Sequence, residues 1–157
     1  MTHHKKAMEL ALGIESGIYA PEEAIAWADE YLLENEYNDD VANVSLASNK
    51  PKIELISLLK KLTIFNDRIE AMRAVLGRMA NELEQDDSLA KTIVSYCESF
   101  WISQGYELPD DMMFMAGIND EYFLAVQGIY GTREDLIKNL RIELSRFRKY
   151  AEQGGDL

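Results

Sequence analysis

Only three prolines interrupt the chain, Pro21, Pro51 and Pro109, and each stands just ahead of a stretch with helical spacing. Proline fixes φ and carries no amide donor, so it suits the first turn of a helix and breaks a helix interior or a central strand. No β-branched run alternates at period two for long enough to demand a sheet. The spacing therefore predicts an all-α fold. At 157 residues the chain is one domain long, and short connections between helices favour a single-domain irregular multi-helix bundle of about six to eight helices. Apolar residues at 47% and charged residues at 28% are the balance of a folded protein rather than of a disordered acidic tail.

The elements can be placed one by one. Residues 5–17 read as a short helix carrying Met8, Leu10, Leu12 and Ile14 and closed by Gly17. In "APEEAIAWADEYLLEN", Pro21 takes a first helical position and Glu22 and Glu23 the first turn, where the helix dipole favours negative charge. Its spacing puts Ile25, Ala28, Tyr31 and Leu32 on one face and Glu23, Ala26, Trp27, Glu30 and Glu34 on the other. "VANVSLASNK" reads as one or two helical turns. "PKIELISLLKKLTIF" is apolar around most of its circumference and is expected in the middle of the bundle. Asn66 or Asp67 is expected to cap the stripe Ile69, Met72, Leu76, Met79, Leu83, and Asp87 the stripe Leu89, Ile93, Tyr96, Cys97, Phe100, Trp101, which ends at Gly105. Two short helices should follow, interrupted around residues 117–119. A final helix should open on Thr132 and run through Ala151.

Few residues offer chemistry. His3 and His4 are expected to lie at a fraying terminus, and Cys97 falls on an apolar stripe as a packed core thiol, so no metal cluster, nucleophilic triad or disulfide is expected. Catalytic residues, cofactor and metal are all expected to be none. An all-helical Mg²⁺-dependent nucleotide pyrophosphohydrolase is the enzyme alternative, because such enzymes converge carboxylates from facing helices. Against it, Ala26 stands where a third acid is wanted, and the Glu-x-x-Asp spacings Glu36/Asp39, Glu84/Asp87 and Glu107/Asp110 fall at helix edges or in loops. The N-terminal residues lack the apolar run of a signal peptide, and no stretch approaches membrane-spanning length. The expectation is a cytoplasmic, non-membrane protein.

Charge is the informative feature. Residues 1–40 hold ten acids and two bases, 41–81 three and seven, 82–131 ten and one, and 132–157 five and six, giving −12 overall. A field of that sign repels nucleic acid and anionic membrane and attracts basic proteins. Residues 19–40 hold eight acids and no lysine or arginine. The dipole accounts for Glu22 and Glu23; Asp29, Glu30, Glu34, Glu36, Asp39 and Asp40 have no basic partner at i+3 or i+4. Either the bases of residues 50–78 neutralise them within the fold, or a partner does. In the second acidic block, Asp110, Asp111, Asp120 and Glu121 are mixed with Met113 and further apolar residues in excess of one core stripe. Acids rimming adaptable apolar anchors suit the grip on a cationic protein. The candidate binding residues are Trp27, Glu30, Glu34, Glu36, Asp39, Asp40, Asp110, Asp111, Met113, Asp120 and Glu121.

"LALGIESGIYAPEEAIAWADEYL", followed by "VANVSLASNKPKIELISLLKKL", resembles small bacterial proteins encoded beside polymorphic or contact-dependent growth-inhibition toxins and taken to be their immunity proteins. The resemblance spans about the first 62 residues. It implies a cytoplasmic protein that binds one cognate toxin domain and blocks its active site or substrate groove. A basic nuclease is the expected toxin, since nuclease grooves are built for phosphates and an acidic surface can fill them. An acidic adaptor without inhibitory activity is the other non-enzymatic alternative.

Overall fold

The computed structural model describes residues 3–154. The fold is all-α, with no strand among the described residues. Among the described residues nine α-helices follow one another: α1 (His3–Glu15), α2 (Pro21–Glu34), α3 (Asp39–Ser45), α4 (Lys52–Lys60), α5 (Arg68–Gln85), α6 (Ala90–Ser103), α7 (Ile118–Val126), α8 (Arg133–Ser145) and α9 (Arg148–Gly154). Short 3-10 turns cover Phe65–Asp67, Asp87–Leu89 and Asp110–Met115. The expected final helix is two, because the chain breaks after Ser145 before continuing as α9. Contacts gather into two compact units, one holding the chain up to Leu76 together with Lys149 onward, the other Gly77–Arg148, so that the boundary falls within α5.

In the first unit α1 is the helix with no outer face over its length from Ala7 to Ile14, where every residue is buried. It packs on both α2 and α4. Its small residues allow this close approach. Gly13 in particular lies under the Tyr19 ring, whose atoms a Cβ would overlap. Gly17, at φ 82°, turns the chain back so that the amides of Ile18 and Tyr19 donate to the Gly13 carbonyl at 3.1 and 2.9 Å. The Tyr19 hydroxyl then donates to Glu9 Oε2 at 2.5 Å, and Lys6 Nζ lies 3.5 Å from the same oxygen. A buried carboxylate on the central helix is thereby partnered. The central place expected for α4 belongs to α1: α4 buries Leu55 and Leu59 but leaves Ile53 77% exposed.

The histidines belong to this unit and are not frayed. His3 opens α1, and His4 Nδ1 lies 2.6 Å from the Leu62 carbonyl oxygen.

In the second unit α6 buries Ile93, Val94, Cys97 and Phe100, while Leu89, Tyr96 and Trp101 are half-buried at its margins. Burial pushes the Cys97 thiol up to about 12, as for an inert core thiol. The cap of the turn leading into α6 is Asp86, not Asp87: its carboxylate accepts from the Ser88 hydroxyl at 2.6 Å and the Ser88 amide at 3.0 Å, and these bonds hold its pKa below the usual carboxylate value. Asp87 is drawn off into an ion pair with Arg141. Thr132 caps α8 as expected, with the Asp135 amide donating to Oγ1 at 3.1 Å, and α8 buries Leu136, Ile137, Leu140 and Leu144.

Candidate protein-binding surfaces

The acid-rich segment 19–40 becomes α2, a short connection and α3. Pro21 starts α2, and the Ala20 amide donates to Glu23 Oε2 at 2.8 Å, so Glu23 is spent on the helix start. Ala24 and Ala28 are the buried stripe, which turns Glu22, Ala26, Asp29, Glu30, Leu33 and Glu34 outward. Asn38 caps α3, accepting from the amides of Asp40 and Val41 at 2.9 and 3.1 Å, while Val41, Ala42 and Val44 face inward and Asp39 and Asp40 outward. The Ser45 hydroxyl donates to Asp29, which ties the far end of α3 to α2.

Six carboxylates remain, on Glu22, Glu30, Glu34, Glu36, Asp39 and Asp40. All are exposed, and among the described residues none has a cation within 4.0 Å. Four of the seven bases of residues 50–78 are directed elsewhere: Lys60 pairs with Glu15 at 3.2 Å, Arg78 with Glu82 at 2.8 Å, Arg68 lies over Phe65 and Arg73 over Tyr150. Intramolecular ion pairing, one of the two alternatives left by the sequence, is not seen for these six among the described residues.

Trp27 takes a different place from the one expected. It is half-buried beside the inward stripe, with its ring 5.9 Å from that of Tyr31, which in turn lies 5.7 Å from His3. Burial and the neighbouring His4 hold His3 below its ordinary pKa. The apolar groups standing among the acids are instead Leu33, 88% exposed, and Tyr37, 73% exposed. A sequence signal for Leu33 existed: it is five residues beyond Ala28 and three beyond Glu30, a spacing that puts it on the acid face.

In the second unit, four acids of the block are held by named partners. Glu82 meets Arg78, Glu84 meets Arg148, Asp87 meets Arg141, and Glu98 accepts from Asn119 Nδ2 at 2.8 Å. Two members of the enzyme-like Glu84/Asp87 spacing thus hold arginines. Among the described residues no three His, Cys, Asp or Glu side chains gather as they would around a metal ion. Asp110, Asp111, Asp120 and Glu121 are exposed, and of these Asp110, Asp120 and Glu121 have no ion pair among the described residues.

Met113 and Glu121 are brought together at a groove of about 500 Å³. The turn Asp110–Met115 buries Met112 and Met115 but leaves Met113 42% exposed; Gly117, at φ 76°, then redirects the chain into α7. The groove floor is Ile118 and Ala125 of α7 with Leu136 and Leu140 of α8, and its rim carries Glu121, Asp135 and Glu143. Asp110, Asp111 and Asp120 do not line it. Neither Asp135 nor Tyr130 is legible as a groove residue in the sequence, because the groove depends on how α7 packs against α8.

In comparisons with known proteins, no family matches the sequence, no curated protein matches it and no solved structure matches its fold. Among the described residues, no helix is long and apolar enough to cross a membrane.

Proposed function

We propose that this chain is an immunity protein: it binds a cognate toxin domain, with a basic nuclease as the class that fits best, and neutralises it stoichiometrically by covering its active site or substrate groove. The observation that carries this reading is the set of six unpaired carboxylates on α2, α3 and their connection, standing around Leu33 and Tyr37. Like charges this close slightly destabilise the helices that bear them, so a cationic partner supplies the missing counter-charge. Such a field steers encounter, raising association from about 10⁵–10⁶ to as much as about 10⁸–10⁹ M⁻¹s⁻¹ at low salt. Leu33 and Tyr37 supply the apolar anchors on which affinity rests inside a polar rim.

The test is co-expression with the neighbouring reading frame. Growth that depends on this chain supports the reading, whereas a harmless neighbour, or nucleotide turnover by the purified chain with Mg²⁺, ends it. With a partner in hand, reversing charge at Glu30 and Glu34 should slow association at least about tenfold at low salt and much less at high salt.

A further inference from the structure

We propose that the groove between α7 and α8 is a docking site for an amphipathic helix bearing lysine or arginine, presented by a protein partner. It is a different surface from the α2–α3 face and does not require that partner to be a toxin.

The floor explains the apolar half of the recognition. Ile118, Ala125, Leu136 and Leu140 form a trough between consecutive helices, which suits side chains projecting at i, i+3, i+4 and i+7 from an approaching helix. A volume of about 500 Å³ would also admit a small molecule. At the groove's edge, however, Met113 and Tyr130 are 42 and 76% exposed. A ligand enclosed by the groove would leave them in water, and a helix laid along it would cover part of them.

Charge selects the kind of helix. No basic residue lines the groove, and of its three carboxylates only Glu143 has a cation nearby, Arg146 at 3.2 Å. Glu121 and Asp135 have no ion pair among the described residues. Helix dipoles account for acids in the first turns of α7 and α8, but they leave these charges facing the groove without a counter-ion. Nucleic acid is repelled by such a rim, and an acidic segment likewise.

The probe is a labelled peptide of leucine and lysine with leucines at i, i+3, i+4 and i+7, set against a scrambled peptide of the same composition. The full chain should bind the amphipathic peptide and move the amide NMR signals of Met113, Glu121, Tyr130 and Leu136. Glu121→Lys with Tyr130→Ala, both at exposed positions, should weaken binding at least about tenfold. Glu30→Lys with Glu34→Lys should leave it within about twofold, the difference expected between local and general electrostatics. Absence of binding, equal binding of the scrambled peptide, shifts confined to other residues, or equal weakening by the two variants would each overturn the proposal. A harmless neighbouring reading frame, with peptide binding by the wild-type chain intact, would sink the immunity reading and leave this one standing.

Discussion

Two acid-rich regions meet opposite fates. Glu82, Glu84 and Asp87 are held by Arg78, Arg148 and Arg141, whereas Glu22, Glu30, Glu34, Glu36, Asp39 and Asp40 have no such partner among the described residues. Acid content does not separate the two. What separates them is whether a basic helix side stands against them: the arginines of α8 and α9 reach the end of α5 and the turn after it, while among the described residues no cation comes within 4.0 Å of the six acids of α2, α3 and their connection. In one region the carboxylates hold the fold together. In the other they remain as a surface field, and the fold bears a small repulsive penalty for keeping them.

The strongest way to break the comparison is to remove the support under the unpaired region. Gly13→Ala sets a Cβ into the Tyr19 ring, which must leave and take its hydroxyl from Glu9, a buried carboxylate. Overpacking and a deprived buried acceptor together are expected to lower stability by about 3 kcal/mol, read from the denaturant midpoint. A change below about 1 kcal/mol would mean that the Tyr19 contact does not anchor the start of α2.

Next in size, Arg141→Gln and Arg148→Gln should each cost roughly 0.5–1 kcal/mol, since these pairs are half-exposed. The sign should reverse across the comparison. Glu30→Gln with Glu34→Gln is expected to raise stability by a few tenths of a kcal/mol at low salt, an increment that fades above roughly physiological ionic strength. Thermal melts at two salt concentrations measure both. Destabilisation by the Glu30/Glu34 change would show that those acids are held by cations after all.

The sequence made the helices legible where the signal was local. Pro21 with Glu22 and Glu23, Thr132 before α8, and the Gly17 and Gly105 turns each act through backbone geometry within a few residues. It misled where the outcome depended on packing. The apolar circumference of α4 suggested a central helix, yet α1, with its alanines and Gly13, can be approached more closely and takes that place. Trp27 was drawn to the acid face by ideal spacing, but the narrow Ala24/Ala28 stripe rotates α2 so that Leu33 stands there instead. The outward acids of α2 and α3 could be read from the absence of local bases. The groove in the second unit could not, because it depends on the angle at which α7 packs against α8 rather than on any local signal.

The smallest effect asks how far the unpaired field reaches within its own unit. His3 lies against Tyr31 on α2, and a dominant field from the neighbouring acids would favour its imidazolium. Burial and His4 act the other way and hold its pKa below the ordinary 6.5. Between that lowered value and 6.5 the unfolded chain binds more protons than the folded one at this site, so stability rises with pH across the window and levels off above it. His3→Gln should remove this slope, and the difference between wild-type and variant melts isolates it from the titrating carboxylates. A wild-type contribution that instead falls as pH rises through 6.5 would mean that the acids command this histidine. The surface would then be partly neutralised by its own chain in acid, and the contrast between the two regions would hold only above that pH.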